Sequence, residues 1–446
     1  MNIVQKLLPL GGMIGNRQMS MYRDQAVPKG GKNALAFVLF TAFLNMLCFS
    51  IIIPVKPQLL MTVLDSDLTV AAEWSSLLLF GFAVAQFFFV PIWTSLADRF
   101  GRRPIILIAL LATTIDFIIM GFAQHIGVLF AARIFSGVFV ATVAVLNTYV
   151  ADVSPHHKKA ANFGLIGAAI GAGMMLGPSI GGLVGDEFGI RAPFFLAAIL
   201  AGLNFIWGAV VLPETLSKNE SRPFYLGQAN PIGLLFRLKQ YTGSLAFFVV
   251  VFLLQLAFFV FPATWSFYAL EKFGWSLSQI GGSLFIVGLT NVLVQGFGTK
   301  IIVAKIGELS AITLGMVITL LSFIAYAFAS EAWMVIATIL VGSLGGVILP
   351  SLQGLMSKRL PMNAQGMLHG SLSILMSIAM VIAPPAMMQL FSIYSSSTSS
   401  VYFPGAAFVL AGVLVALAFI PLAIGVRQPT SNTLRSGDSY SMTENV

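Results

Sequence analysis

Twelve apolar segments, separated by polar gaps that are mostly short, decide what this chain of 446 residues can become. A helix crosses the hydrocarbon core of a bilayer with about 20 apolar residues. The segments run over 34–62, 74–96, 104–124, 126–151, 160–185, 192–212, 243–269, 277–303, 309–329, 332–356, 366–394 and 402–426. Runs of this length, without two-residue alternation, are helical. The fold class expected is all-α and integral to the membrane, with twelve spans.

Charge fixes the organisation. Only 9% of residues are charged, against about 25% in a soluble protein. The longest interior polar stretch, 213–242, divides the spans six plus six. The expected domains are a tail (1–33), a six-helix bundle (34–212), a linker (213–242), a second bundle (243–426) and a tail (427–446). Lys and Arg gather in alternate gaps and in both tails, while the opposite gaps hold only Arg191 and Lys272. The acids Asp65, Asp67, Glu73, Asp186, Glu187, Glu271 and Glu331 lie on that second side. Basic loops stay on the cytoplasmic side, so both termini are expected in the cytosol and the protein in the cell (inner) membrane. The first 33 residues show no clear signal-peptide pattern.

The same numbers exclude other classes. A net charge of +8 spread over short loops makes no face for nucleic acid. One cysteine, Cys48, allows neither a disulfide framework nor a metal cluster. His125, His156, His157 and His369 lie at loops or helix ends, and no HExxH or GxSxG occurs, so no catalytic centre, metal or cofactor is expected. Two parallel bundles facing a central site is an arrangement of secondary carriers.

The gap between the second and third spans reads SLADRFGRRP. Gly101 gives the backbone freedom for a tight turn, and Asp98 can pair with Arg102 or face a helix end. By spacing alone, Asp98, Arg99, Arg102 and Arg103 could equally well only set topology. The stretch resembles the cytoplasmic signature of the major facilitator superfamily, G-x-L-A-D-R-x-G-R-[RK], with Thr94 in place of the leading glycine. In span four, RIFSGVFVATVAVLNTYVAD resembles the family's motif of a buried arginine followed by glycine, here Arg133 and Gly137, and Asp152 closes the helix. In span five, GAGMMLGPSIGG resembles the antiporter pattern G-x-x-x-G-P-x-x-G-G through Gly173, Gly177, Pro178, Gly181 and Gly182. Small residues four apart also allow close helix contact. The segments DRFGRRP, IDFIIM, APFFLAA, GLNF, LPET and PSLQGLMS are similar to the tetracycline-efflux group of the drug:proton antiporter branch.

The resemblance implies a twelve-helix carrier working by alternating access, a monomer that moves a small molecule outward against protons. It makes Asp98 and Arg102 a conformational latch that holds the halves in the outward-open state. It also gives Asp116, in TTIDFIIM, a functional role. An ionisable group at the bilayer centre costs about 2.5–3.5 kcal/mol on insertion scales and needs a reason. Asp116 is expected to exchange the proton and Arg133 to bias it; packing or a positional ion pair is the alternative for each. Lys56, between Pro54 and Pro57, binds an anionic cargo or snorkels to the outer surface. Asn45, Gln86, Asn147, Gln255, Asn291, Gln295 and Gln353 are candidate cavity amides, though most buried amides bridge helices. Where the tetracycline group has an acid, a histidine and an acid, this chain has Asn45, Asn291 and Thr319. The remaining Lys56, Arg133 and Asp116 sum to a positive cavity, which suits an anionic or zwitterionic metabolite, such as a carboxylate siderophore, better than a magnesium–tetracycline cation.

Overall fold

The computed structural model describes residues 31–155, 158–216, 242–359, 365–396 and 399–427; most of both tails and of the linker lie outside the described residues. All regular structure among the described residues is helical, and twelve helices are long and apolar enough to cross a membrane. Several overrun the expected limits. The second runs Leu68–Phe100 because Asp67 caps it, its side chain accepting from the Val70 amide at 3.0 Å. Hydropathy stops where polarity begins; the helix stops where its amides run out of partners.

Five spans are broken along their length, span seven by the single residue Phe259 between Thr242–Phe258 and Val260–Phe273. Span one is helical over Gly31–Ile51, turns through Pro54, and resumes as Lys56–Leu64 with a proline in its first turn. Pro57 is tolerated there because the first amides of a helix need no intrahelical partner. Span four breaks at Val140–Ala141 between Ile126–Phe139 and Thr142–Val153. Span eight, Leu277–Ile306, contains a π turn over Val294–Gly298, and span ten, Ala332–Arg359, contains a 3₁₀ stretch over Ser343–Val347. The π turn and the 3₁₀ stretch pack against each other.

The two sets of six repeat one packing scheme. Span one lies on span five as seven lies on eleven, two on four as eight on ten, and three on six as nine on twelve. Between the sets, span five meets span eight and span two meets span eleven. These seams are tight at the end of the molecule that carries the acidic loops. Ser266 Oγ donates to the Ile53 carbonyl at 3.0 Å and Ser392 Oγ to Glu73 at 2.9 Å, each bond joining one set to the other. Toward the basic end the fifth and eighth spans separate. A Cβ built on Gly164, Gly167 or Gly296 would meet nothing within 4 Å. The molecule is two six-helix bundles, shut together at the acidic end and parted at the basic end.

Candidate functional site

Among the described residues, the ion pair best sealed from solvent joins spans three and four. Asp116 and Arg133 are 1% and 8% exposed, and Arg133 Nη2 stands 2.6 Å from Asp116 Oδ2. These spans are antiparallel and joined by a short turn at 123–125, so residues about equally far from the turn share a depth. The guanidinium also meets Met120 Sδ and lies 5.9 Å from the centroid of Phe82 on span two. Gly137 permits that approach, since a Cβ there would run into the Phe82 carbonyl. Asp116 Oδ1 has no hydrogen-bond partner. The neighbouring cation favours the ionised carboxylate and the dry surroundings favour the neutral acid, so one proton separates the two arrangements.

The charged turn forms a second network. Gly101 has φ +104°, a value side-chain-bearing residues rarely adopt. Arg102 binds Asp98 Oδ1 at 2.9 Å, Asp152 Oδ2 at 3.1 Å and the Ala97 carbonyl at 2.8 Å. Arg103 donates to the Ala209 carbonyl at 2.7 Å, and Arg99 lies over the ring of Phe100. Each of these contacts stays inside the first bundle; none reaches the second, which at this end stands apart from the first along spans five and eight. Glu214, quoted above only within LPET, caps the third span by accepting from the Arg102 and Arg103 amides at 2.9 and 3.1 Å.

The glycine run of span five works at two surfaces. Gly173, Gly177 and Gly181 face span one, where a Cβ would strike the backbone at Phe43, Leu47 and Ile51. Gly182 faces Leu277 of span eight, and Pro178 faces Gly281, so backbone lies directly on backbone across the seam. Asp186 completes the closure. Its carboxylate accepts from the Ser278 amide at 2.8 Å and the Leu277 amide at 3.3 Å, capping the eighth span from the other bundle. A single sequence gives no signal of this contact, which joins residues 91 apart.

Lys56 is half-buried at the same closed end, its ammonium 5.5 Å from the Phe267 ring centroid of span seven. Asn45, Gln86, Asn147 and Gln255 are half-buried on spans one, two, four and seven, and Gln353 is exposed on span ten. The structure brings Asn291 and Gln295 together: both approach Gly346, and Asn291 Nδ2 donates to the Val287 carbonyl at 3.0 Å. Thr319 is buried beside Gly345 with its hydroxyl unpartnered. Among the described residues no group of three or more His, Cys, Asp or Glu could hold a metal ion.

The family model described as Major Facilitator Superfamily matches residues 38–384. The chain belongs to the major facilitator superfamily. It is 36% identical to the class C tetracycline resistance protein of Escherichia coli over 368 residues, 82% of this chain and 91% of that one. Identity to the class G tetracycline resistance protein of Vibrio anguillarum is 33%, over 81% of this chain and 91% of the relative. Among solved structures, the nucleoside transporter NupG covers 89% of the chain and is itself covered completely, at 13% identity and TM-score 0.72. A bacterial homolog of the human lysosomal transporter Spinster, solved inward-facing and unoccupied, matches with TM-score 0.70 at 14% identity over 90% of this chain and 98% of its own. These two share the superfamily fold. The protein is a multi-pass membrane transporter of this superfamily and not an enzyme.

Proposed function

We propose that the protein exports a small organic molecule across the cell membrane in exchange for protons, its bundles rocking about a midplane site. In this reading the basic end faces the cytosol, which the loop charges support, so the conformation is open to the cytosol and shut outside. The Asp116–Arg133 pair carries this reading. A protonated Asp116 no longer needs Arg133, so proton uptake frees the one cation nearest it and rebalances the first bundle. Each proton entering down 100 mV supplies about 2.3 kcal/mol. The tetracycline-resistance relatives support efflux of a drug-like cargo. Against tetracycline itself stand Asn45, Asn291 and Thr319, neutral where the resemblance leads one to expect ionisable groups.

The test is flux in proteoliposomes under an imposed pH gradient. Asp116→Asn is expected to abolish gradient-driven uphill export while leaving downhill exchange of cargo. If the variant still accumulates cargo with wild-type pH dependence, another group carries the proton.

A further inference from the structure

Lys300 lies inside the eighth span, which continues as helix to Ile306. At 1.5 Å per residue the lysine lies about 9 Å inside the helix end. It borders a pocket of about 420 Å³ lined also by Gln295, Thr299, Glu308, Pro350 and Ser351. Four observations bear on what the pocket holds.

First, it opens on the cleft. The face of span eight that meets span five passes through Leu277, Gly281 and Gly288, which contact Gly182, Pro178 and Met175; Val292 then faces Gly171 at 3.9 Å from a Cβ built there. The next positions on that face are Gly296 and Thr299, with open space before Gly296, and Gln295 beside them packs toward Gly346 of span ten. Second, the π turn inserts its extra residue here, turning Thr299 and Lys300 relative to a regular helix. Such turns gather at functional sites. Third, the charges do not cancel. Glu308 is bound to Lys358 at 2.7 Å, and among the described residues Lys300 has no ion-pair partner. Lys305, five residues further on, adds a second cation to this end of the helix. Fourth, Ser351 is 3% exposed and its hydroxyl makes no hydrogen bond. A buried unpartnered hydroxyl beside an unpaired ammonium is set up for an oxygen-rich ligand.

We infer that this pocket binds an anionic oxygen group of the cargo, a carboxylate or its equivalent. Lys300 supplies the counter-charge, and Gln295, Thr299 and Ser351 supply the hydrogen bonds. This rests on the reading that a small organic molecule passes through the cleft. It adds a cargo class, organic anions, and a place where loading begins, on the second bundle at the cytosolic side. The site exists while the bundles are parted at this end, because closure brings the Gly164–Gly167 stretch of span five against it.

The experiment is equilibrium binding to the purified full chain in nanodiscs, read by fluorescence anisotropy. The probes are fluorescein, an organic dianion at neutral pH, and ethidium, an organic cation. Wild type is expected to bind fluorescein saturably. Lys300→Gln should weaken it about tenfold, the scale of one charge-assisted contact, while Lys300→Arg restores most of the affinity and Ser351→Ala costs a few-fold. Lys305→Gln and ethidium binding should be unchanged, which also shows the variants to be folded. Absence of saturable fluorescein binding overturns the proposal. So does equal weakening by Lys305→Gln, the mark of a lysine that only snorkels to the headgroups. The measurement needs no gradient, so its failure leaves proton exchange at Asp116 standing, and loss of proton coupling leaves this site standing.

Discussion

Asp116 and Arg133 show what a single buried charge demands of its neighbours. Removing one member of a buried pair leaves an uncompensated ion and costs about 3–5 kcal/mol, whereas removing both can be neutral. Arg133→Leu is therefore expected to lower the unfolding temperature of the detergent-purified protein sharply, and the double variant Asp116→Asn with Arg133→Leu to recover most of it. Equal destabilisation by single and double variants would show that the pair contributes packing rather than compensation. Each residue was conspicuous in the sequence because an ionisable group in an apolar run has few explanations. Their pairing was legible too, since both lie about equally far from the turn at 123–125. Lys300 was not, because a lysine near the basic end of a span satisfies the loop-charge pattern and the pocket beside it is formed with residues of spans nine and ten. Asp186 lay wholly beyond reach: its partners are backbone amides of the other bundle, and amides carry no residue identity.

At the scale of helices, the breaks differ in how they are encoded. The interruption of span one follows from Pro54 and Pro57 and was readable. The π turn at 294–298 and the 3₁₀ stretch at 343–347 contain no proline, and they arise where two helices accommodate each other. The seam between spans five and eight yields a prediction. Gly281→Leu places a branched side chain against the Pro178 carbonyl. Asp186→Ala removes the carboxylate that accepts from the Leu277 and Ser278 amides while leaving the Ser276–Gln279 capping box, a loss of about 1 kcal/mol by analogy with helix N-caps. That energy changes a two-state ratio about fivefold. Both variants should increase maleimide labelling at Ser278→Cys from outside the cell, Gly281→Leu the more strongly. Labelling at the parent rate in both would mean the closed end is held elsewhere, for example by Glu73 and Ser392.

For the molecule as a whole, the number of spans and their division by six were written plainly in the chain, because length and charge are one-dimensional quantities. Which end is shut was not. An alternating carrier encodes two packings in one sequence, and only their small energy difference selects between them. The contacts described fill one packing, and under the proposed alternating access the places they leave open belong to the other. Gly182 touches Leu277 at the acidic end, while Gly167 and Gly296 have space before them at the basic end. If the bundles move as rigid bodies, a disulfide made from Gly182→Cys and Leu277→Cys and one made from Gly167→Cys and Gly296→Cys trap opposite states. Each pair, in a background with Cys48→Ser, should stop transport on oxidation and release it on reduction. In a four-cysteine protein, closing the first bridge should block the second, read by the mass of proteolytic fragments. The fluorescein site at Lys300 should survive the first bridge and vanish with the second. Molecules carrying both bridges at once would show that the bundles flex internally, and rocking about a fixed midplane site would have to be abandoned.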